Sequence, residues 1–352
     1  MRLSIPLLIL AAVLAWPAQC QEITDRPEII DLFSNINSAD VTLSGDVGGS
    51  LLRVDLIQSG ERLQSKSLSI DGPGTWIVRW DERSFEEGAF EACAELLDGD
   101  VVESRRCYSF YYGGRVPVRF DVRDFLADSR GIHLTIYSDD PTIVDIDYML
   151  ISGDKALYVS REKGVSIGGG RYSALQLDWE WKQLLDSGED YFGRVKINEL
   201  NHDQTRAFMM GFRAMEDASI TETYEDEMGA SATVMGNSRV PFRGSLRFIL
   251  SGDEGAIETI EKPTPVLLVG DDETVEVSWN ETLDPGIYRL NVLLLGNDGG
   301  VIDMRESVIE AEVLASPVNL SLSEPEKSPG LTTIAALTTL GSALFLAVRR
   351  RR

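Results

Sequence analysis

At 352 residues, with 43% hydrophobic and 8% aromatic side chains, the chain has the composition of folded protein and room for two or three domains, which excludes wholesale disorder. A formal net charge of −24, from 57 acids against 33 bases, excludes a nucleic-acid surface and disfavours anionic lipid headgroups. Seven of the bases are lysine and 26 are arginine, a balance suited to salty or cation-rich surroundings.

The chain opens MRLSIPLLILAAVLAWPAQC: one basic residue, an apolar stretch from Ile5 to Trp16, then small residues. This predicts a secretory signal peptide over residues 1–20. Residues 21–39 are an N-terminal segment in which Pro27 to Phe33 predicts an added strand or short helix. Residues 40–114 are the first predicted sandwich. In TWIVRW, Trp76, Val78 and Trp80 share one face, and in the next strand Phe90, Ala92, Ala94 and Leu96 do the same. Removal of the signal leaves two cysteines, Cys93 and Cys107, flanking a stretch whose central Asp98-Gly99-Asp100 reads as a hairpin turn. An even cysteine count in an exported chain predicts a disulfide across that hairpin. Cys93 is out of phase with its apolar neighbours, so the bridge is expected on the outer face. Tyr108, Phe110, Tyr111 and Tyr112 read as a strand with Tyr108 and Phe110 turned inward, or as an aromatic platform for a glycan.

Residues 115–215 are the second predicted sandwich. SDDPTIVDID places Asp139, Asp140, Asp145 and Asp147 close in sequence, which makes them calcium candidates, as are Asp98 with Asp100 and Asp271 to Glu273. No EF-hand spacing occurs, and solvated turns are the simpler reading. The stretch LQLDWEWKQLLDSGEDYFGRVKI repeats the earlier pattern, an alternating strand ending in Trp181, an acidic loop with Gly, then Tyr191 opening a second strand. Only two histidines occur, His133 and His202, on different local patterns. With no GxSxG and no HExxH, the sequence offers no catalytic residues. Gly168-Gly169-Gly170 lacks the Lys-Ser/Thr of a phosphate loop. The acidic, Gly- and Ser-containing residues 216–239 predict a linker or mobile loop.

Residues 240–315 are the third predicted sandwich, and TVEVSWNETLDPGIYRLNVLLL completes the repeat with Trp279 and Tyr288. Trp80, Trp181 and Trp279 are 101 and 98 residues apart, and each copy ends in a returning strand that carries Arg106, Arg206 or Arg305. A period near 100 residues is that of a domain. The acid, Gly and aromatic of EEGAF and LDPGIY resemble the bend before the sixth strand of immunoglobulin-like and fibronectin type III-like sandwiches. The resemblance implies an all-β chain of three tandem immunoglobulin-like β-sandwich domains. Two Asn-x-Ser/Thr sequons, at Asn280 and Asn319, are candidate glycosylation sites.

Residues 316–330 form a polar stalk containing Pro317, Pro325 and Pro329. Residues 331–348 are uncharged and just long enough for a transmembrane helix, with Arg349 to Arg352 as a basic cytoplasmic end. A Pro-Gly pair, a short span and terminal bases resemble the archaeal surface-protein sorting signal, whose signature is Pro-Gly-Phe and whose processing enzyme is called archaeosortase. Here the triplet is Pro329-Gly330-Leu331. The resemblance implies cleavage near Pro329-Gly330 and attachment of the stalk to a lipid.

These features point to a non-enzymatic cell-surface protein, structural or adhesive, at the extracellular face of the cytoplasmic membrane, single-pass or lipid-anchored. Its expected partners are the membrane and envelope proteins or glycans, and no cofactor is expected unless calcium binds. The alternative is a glycan- or calcium-binding extracellular module. A secreted hydrolase ranks last, for want of converging catalytic groups.

Overall fold

A computed structural model describes residues 26–81, 84–113, 120–170, 173–202 and 204–312. The expected signal peptide, Asn319, the stalk with Pro329 and Gly330, the span and the basic end lie outside these residues. Within them the chain is all β, and no helix is long and apolar enough to cross a membrane.

The strands form three tandem sandwiches of one topology. The first sets β1 (Glu28–Ser34), β2 (Ser38–Ser44) and β5 (Gly74–Arg79) against a sheet of order β4-β3-β6-β7, made of β3 (Leu51–Gln58), β4 (Glu61–Ser69), β6 (Gly88–Asp98) and β7 (Val101–Tyr112). The second sets β8 (Phe120–Ala127), β9 (Gly131–Ser138) and β12 (Leu175–Glu180) against β10 (Thr142–Ser152), β11 (Lys155–Ile167), β13 (Asp190–Glu199) and β14 (Gln204–Arg213). The third sets β15 (Ala218–Glu225), β16 (Gly229–Gly236) and β19 (Asp272–Ser278) against β17 (Ser245–Gly252), β18 (Gly255–Pro263), β20 (Gly286–Leu295) and β21 (Val301–Ala311). In each, strands one, two and five face strands four, three, six and seven. Period-two alternation fills each core from both sheets: Val41, Val54, Val78 and Ala92 in the first, Ile132, Ile146 and Val195 in the second, Val234, Phe248 and Val292 in the third.

Two expected boundaries are corrected. Residues 21–39 do not all precede the first sandwich, because Ile29 and Leu32 of β1 lie in its core. Residues 216–239 are not a linker: β15 and β16 bury Ile220, Ala230, Ala232 and Val234 in the third core. Small inward residues, with Thr221 and Glu222 exposed, hide this alternation from a reading of hydropathy. Val240, expected to open the third sandwich, packs instead on the second core.

The repeated marks occupy equivalent places. Each tryptophan follows the fifth strand of its sandwich and fastens the turn between strands one and two. Trp80, Trp181 and Trp279 donate from Nε1 to the carbonyls of Asn35, Asp128 and Asp226, at 3.2, 2.7 and 3.1 Å. Their backbone N–H groups bond to the carbonyls of Asn37, Arg130 and Met228 in the same turns. The turns are themselves built alike, with Oδ1 of Asn35, Asp128 or Asp226 accepting from the backbone two and three residues on. Two copies also carry a tyrosine corner: Asp186 N–H donates to the Tyr191 hydroxyl at 3.2 Å, and the Tyr288 hydroxyl donates to the Asp284 carbonyl at 2.9 Å. Phe90 holds this place in the first copy and stacks on Phe110 at 5.5 Å.

The repeated arginines close each sandwich. Arg106, Arg206 and Arg305 on the seventh strands donate to the carbonyls of Ile30, Phe120 and Ile220 on or at the start of the first strands.

Candidate functional site

The first two sandwiches meet where a strand is buried on both faces. β10 turns Val144, Ile146, Tyr148 and Leu150 into its own core, while Asp147, Met149 and Ile151 on the other face are covered as well. What covers them is the three-stranded sheet of the first sandwich. Ile77 of β5 joins Met149 and Ile151 in a small separate apolar cluster flanked by Phe192 and Met209. The β5 edge then docks on β11, with Ile77 N–H donating to the Asp154 carbonyl at 2.7 Å and Lys155 opposite Trp76. The sheet thereby runs through both sandwiches as seven strands in the order β1-β2-β5-β11-β10-β13-β14.

An ion pair lies between the two layers. Arg194 of β13 and Asp40 of β2 are 1% and 2% exposed, and Arg194 Nη2 lies 2.7 Å from Asp40 Oδ1. Arg194 also donates from Nε to Asp40 Oδ2 at 3.2 Å and from Nη1 to Ser38 Oγ at 2.8 Å. Burial raises the Asp40 carboxyl above its ordinary range, and the charges of Arg194 and Lys196 oppose that rise. Nearby, Arg161 grips buried Asp147 through Nε and Nη2, and Lys196 lies 3.5 Å from Asp31 and 3.7 Å from Asp147. Arg79 of β5 reaches Asp154 at 3.0 Å and lies over the Phe192 ring at 4.5 Å.

Two clefts flank this junction. One, of about 780 Å³, presents half-buried Phe85, Phe125 and Phe208 and exposed Tyr112 beside Asn37 and Arg79. The other, of about 580 Å³, is polar, with Asp31, Asp145, Arg161 and Asn198 around Tyr108.

The third sandwich joins the second through polar contacts. Arg239 N–H donates to the Ser129 carbonyl at 3.0 Å, Met215 N–H to Ser129 Oγ at 2.8 Å and Leu185 N–H to the Arg239 carbonyl at 3.1 Å. Glu216 accepts from Ser187 Oγ of the second sandwich and from Asn297 N–H of the third. Burial first, and then the charges of Asp128 and Asp303, raise the Asp217 carboxyl.

The four calcium candidates do not converge. Asp139 and Asp140 lie in the turn after β9, whereas Asp145 and Asp147 lie within β10, where Asp145 accepts from Gly164 N–H and Asp147 is spent on Arg161. An extended strand advances about 3.3 Å per residue, so the pairs are held apart along it. Asp98 and Asp100 frame the β6–β7 turn, and Asp271 accepts from Leu268 N–H. Among the described residues, the one trio of ligand-type groups within 4.8 Å of one another is Glu91 with Cys93 and Cys107, whose sulfurs are bonded to each other.

The Cys93–Cys107 disulfide links directly opposed residues of β6 and β7 on the outer face of their sheet. Tyr108 and Phe110 pack on the core, and Tyr111 is exposed on the outer face. The histidines remain separate: His133 bonds to Asp178 at 2.6 Å, and His202 to Glu199 at 3.0 Å. Glu199 is fully buried at the end of β13, where it accepts from Thr142 Oγ1, Asn201 N–H, His202 N–H and the His202 ring. Burial pulls its carboxyl upward, but these bonds together outweigh it and hold the group below its ordinary range. Asn280 is exposed just beyond β19, and its Nδ2 donates to Glu258 Oε1 at 2.6 Å.

Sequence reasoning missed the Arg194–Asp40 pair. The available signal was the run Tyr148-Met149-Leu150-Ile151, where alternation gives way to continuous apolar residues, the mark of a strand covered on both sides.

No family model and no curated protein matches the chain. Among solved structures, a tetra-tandem repeat from the extending region of a large adhesion protein is similar at 10% identity and a TM-score of 0.24, over 82% of this chain and 75% of that one. Trypsin-activated alpha-2-macroglobulin from Escherichia coli is similar at 12% identity and a TM-score of 0.23, over 82% of this chain and 24% of that one. A mutant alpha-2-macroglobulin from Salmonella is similar at 10% identity and a TM-score of 0.20, over 82% of this chain and 23% of that one.

Proposed function

We propose that the protein is a non-enzymatic envelope protein, a structural or adhesive spacer whose three immunoglobulin-like sandwiches stand on the outer face of the cytoplasmic membrane. The observation that carries this reading is the junction of the first two sandwiches. A shared sheet, an apolar cluster and a buried ion pair fix one sandwich to the next, which suits a part that holds distance and orientation. The N-terminal signal pattern, the disulfide and the C-terminal tail support an extracellular location. By resemblance to the archaeal sorting signal, the tail is cut near Pro329-Gly330 and replaced by a lipid.

Protease treatment of intact cells, followed by fractionation, tests the location. The protein should stay with membranes and lose its sandwiches to the protease, and a protected cytoplasmic pool would sink the reading. Intact mass of protein extracted from native membranes tests the tail. Loss of the residues after the Pro-Gly pair with a lipid-sized gain is expected, whereas a chain ending at Arg352 would leave a plain membrane span. The structural role predicts altered envelope spacing or adhesion in cells that lack the protein, and unchanged cells would count against it.

A second reading, a glycan-binding module, is favoured by the aromatic cleft beside the junction, since Phe85, Phe125 and Phe208 offer ring faces for sugar C–H groups. Binding to a glycan array that Phe208→Ala abolishes would support it, and an array with no bound glycan would dismiss it.

A further inference from the structure

Among the described residues, the outer edges of β18 and β19 in the third sandwich are neither paired nor capped by a neighbouring sandwich. In the second sandwich the edge equivalent to β18 is β11, and there β5 of the first sandwich docks. Unpaired backbone groups on an exposed edge recruit strands from other molecules unless something blocks them. Half of this side is blocked by Lys262, whose Nζ donates across the gap to the Glu276 carbonyl at 2.7 Å. The other half, around Gly255 to Thr259, is exposed except for half-buried Glu258.

Asn280 sits at that unblocked half. Its side chain reaches Glu258 Oε1 at 2.6 Å and its backbone N–H reaches Glu258 Oε2 at 3.2 Å, which roots the asparagine beside β18. Asn280, Glu281 and Thr282 form a sequon, all three exposed and all outside a strand, so a transferase can reach them on the folded domain. We propose that Asn280 carries an N-linked glycan and that this glycan shields the open side between β18 and β19 from strand addition by a second copy of the chain.

The donor is a saccharide linked through its anomeric carbon to a lipid phosphate. Asn280 Nδ2 forms the new bond to that carbon, the carbon–oxygen bond to the lipid phosphate breaks, the lipid phosphate leaves with the electron pair, and a proton departs from Nδ2. The substituted amide keeps one N–H, enough to retain the bond to Glu258. The proposal rests on the extracellular reading, since the transfer takes place on exported chain, and cell-surface proteolysis reads that location separately.

The test is mass spectrometry of the tryptic peptide ending at Arg289, from protein extracted from native membranes, together with the size of variants in mild detergent. Saccharide mass on Asn280 is expected. Asn280→Gln and Thr282→Ala are expected to lose it and to shift from monomer to self-associated species, while Thr282→Ser keeps both glycan and monomer. Thr282→Ala leaves Asn280 and its bonds to Glu258 in place, so a shift there is not a folding defect. Unmodified Asn280 in a protein that surface proteolysis places outside the cell overturns the proposal and leaves the location standing. A glycan whose loss leaves both variants monomeric overturns the shielding role.

Discussion

Arg194 and Asp40 face each other where neither charge meets water, so each depends on the other for most of its solvation. Removing one partner of such a pair strands a buried charge, at a cost of about 3–5 kcal/mol, whereas replacing both by apolar groups of similar size is often neutral. Asp40→Ala is therefore expected to lower the unfolding free energy of the first two sandwiches by an amount in that range. Asp40→Leu with Arg194→Met should recover most of it in urea titrations, and equal losses in the single and double variants would contradict the pairing. Glu199 makes a second prediction, in pH. Its folded value lies below the unfolded 4.5, so its contribution is present above about 4.5 and is lost as pH falls through the folded value. Asp40, raised in the fold, runs the other way, favouring the native state more at low pH than at neutral pH. Comparing melting temperatures of the parent and Glu199→Gln between pH 3 and 6 cancels the Asp40 contribution. The parent's advantage should shrink as pH falls, and a constant difference would refute the role given to Glu199.

At the scale of the strand and its turns, the tryptophan that follows each fifth strand does two things with one side chain. It fills the core and it pins the turn between the first two strands, through Nε1 and through its own backbone N–H. Trp181→Phe keeps most of the apolar surface but loses the bond to the Asp128 carbonyl, and should cost about 1 kcal/mol beyond the change in packing. Asp128→Ala removes the side-chain cap of the same turn and is expected to cost about 1–2 kcal/mol, by analogy with other caps. Denaturant midpoints read both, and a second variant that costs nothing would show that the turn holds without its cap. Much of this was legible beforehand. Alternation gave the faces of β5, β6, β12, β13, β19 and β20, and the aromatic period located their equivalent places, because large residues at period two leave an unambiguous trace. The Cys93–Cys107 bridge followed from the even cysteine count and the hairpin between the two, and its outer face from the phase of Cys93. The first two strands of the third sandwich did not show, because three of their inward residues are Ala218, Ala230 and Ala232, which carry little hydropathic contrast. The turn residues Asn35, Asp128 and Asp226 also escaped, since a single polar residue before a strand is too common to stand out.

For the whole molecule, the junctions differ in kind. The first two sandwiches share a sheet and an apolar cluster, whereas the third meets the second mainly through hydrogen bonds and Glu216, with Val240 as an apolar tie. Calorimetry should accordingly show one transition for the first pair and a separate one for the third sandwich. A single transition for all three would mean that the polar junction couples as tightly as the apolar one. Each sandwich also has an odd strand count, with its last strand running alongside its first. In the first copy, Ile29, Ile30 and Phe33 meet Ser104, Arg106 and Tyr108 in the same order, so the two strands are parallel and the chain enters at one pole and leaves at the other. A pull applied between the two ends of the described chain therefore loads each domain lengthwise, sliding its first strand against its seventh. Among the groups that resist that slide are the arginine-to-carbonyl clamps of Arg106, Arg206 and Arg305, one in each domain and each loaded in shear.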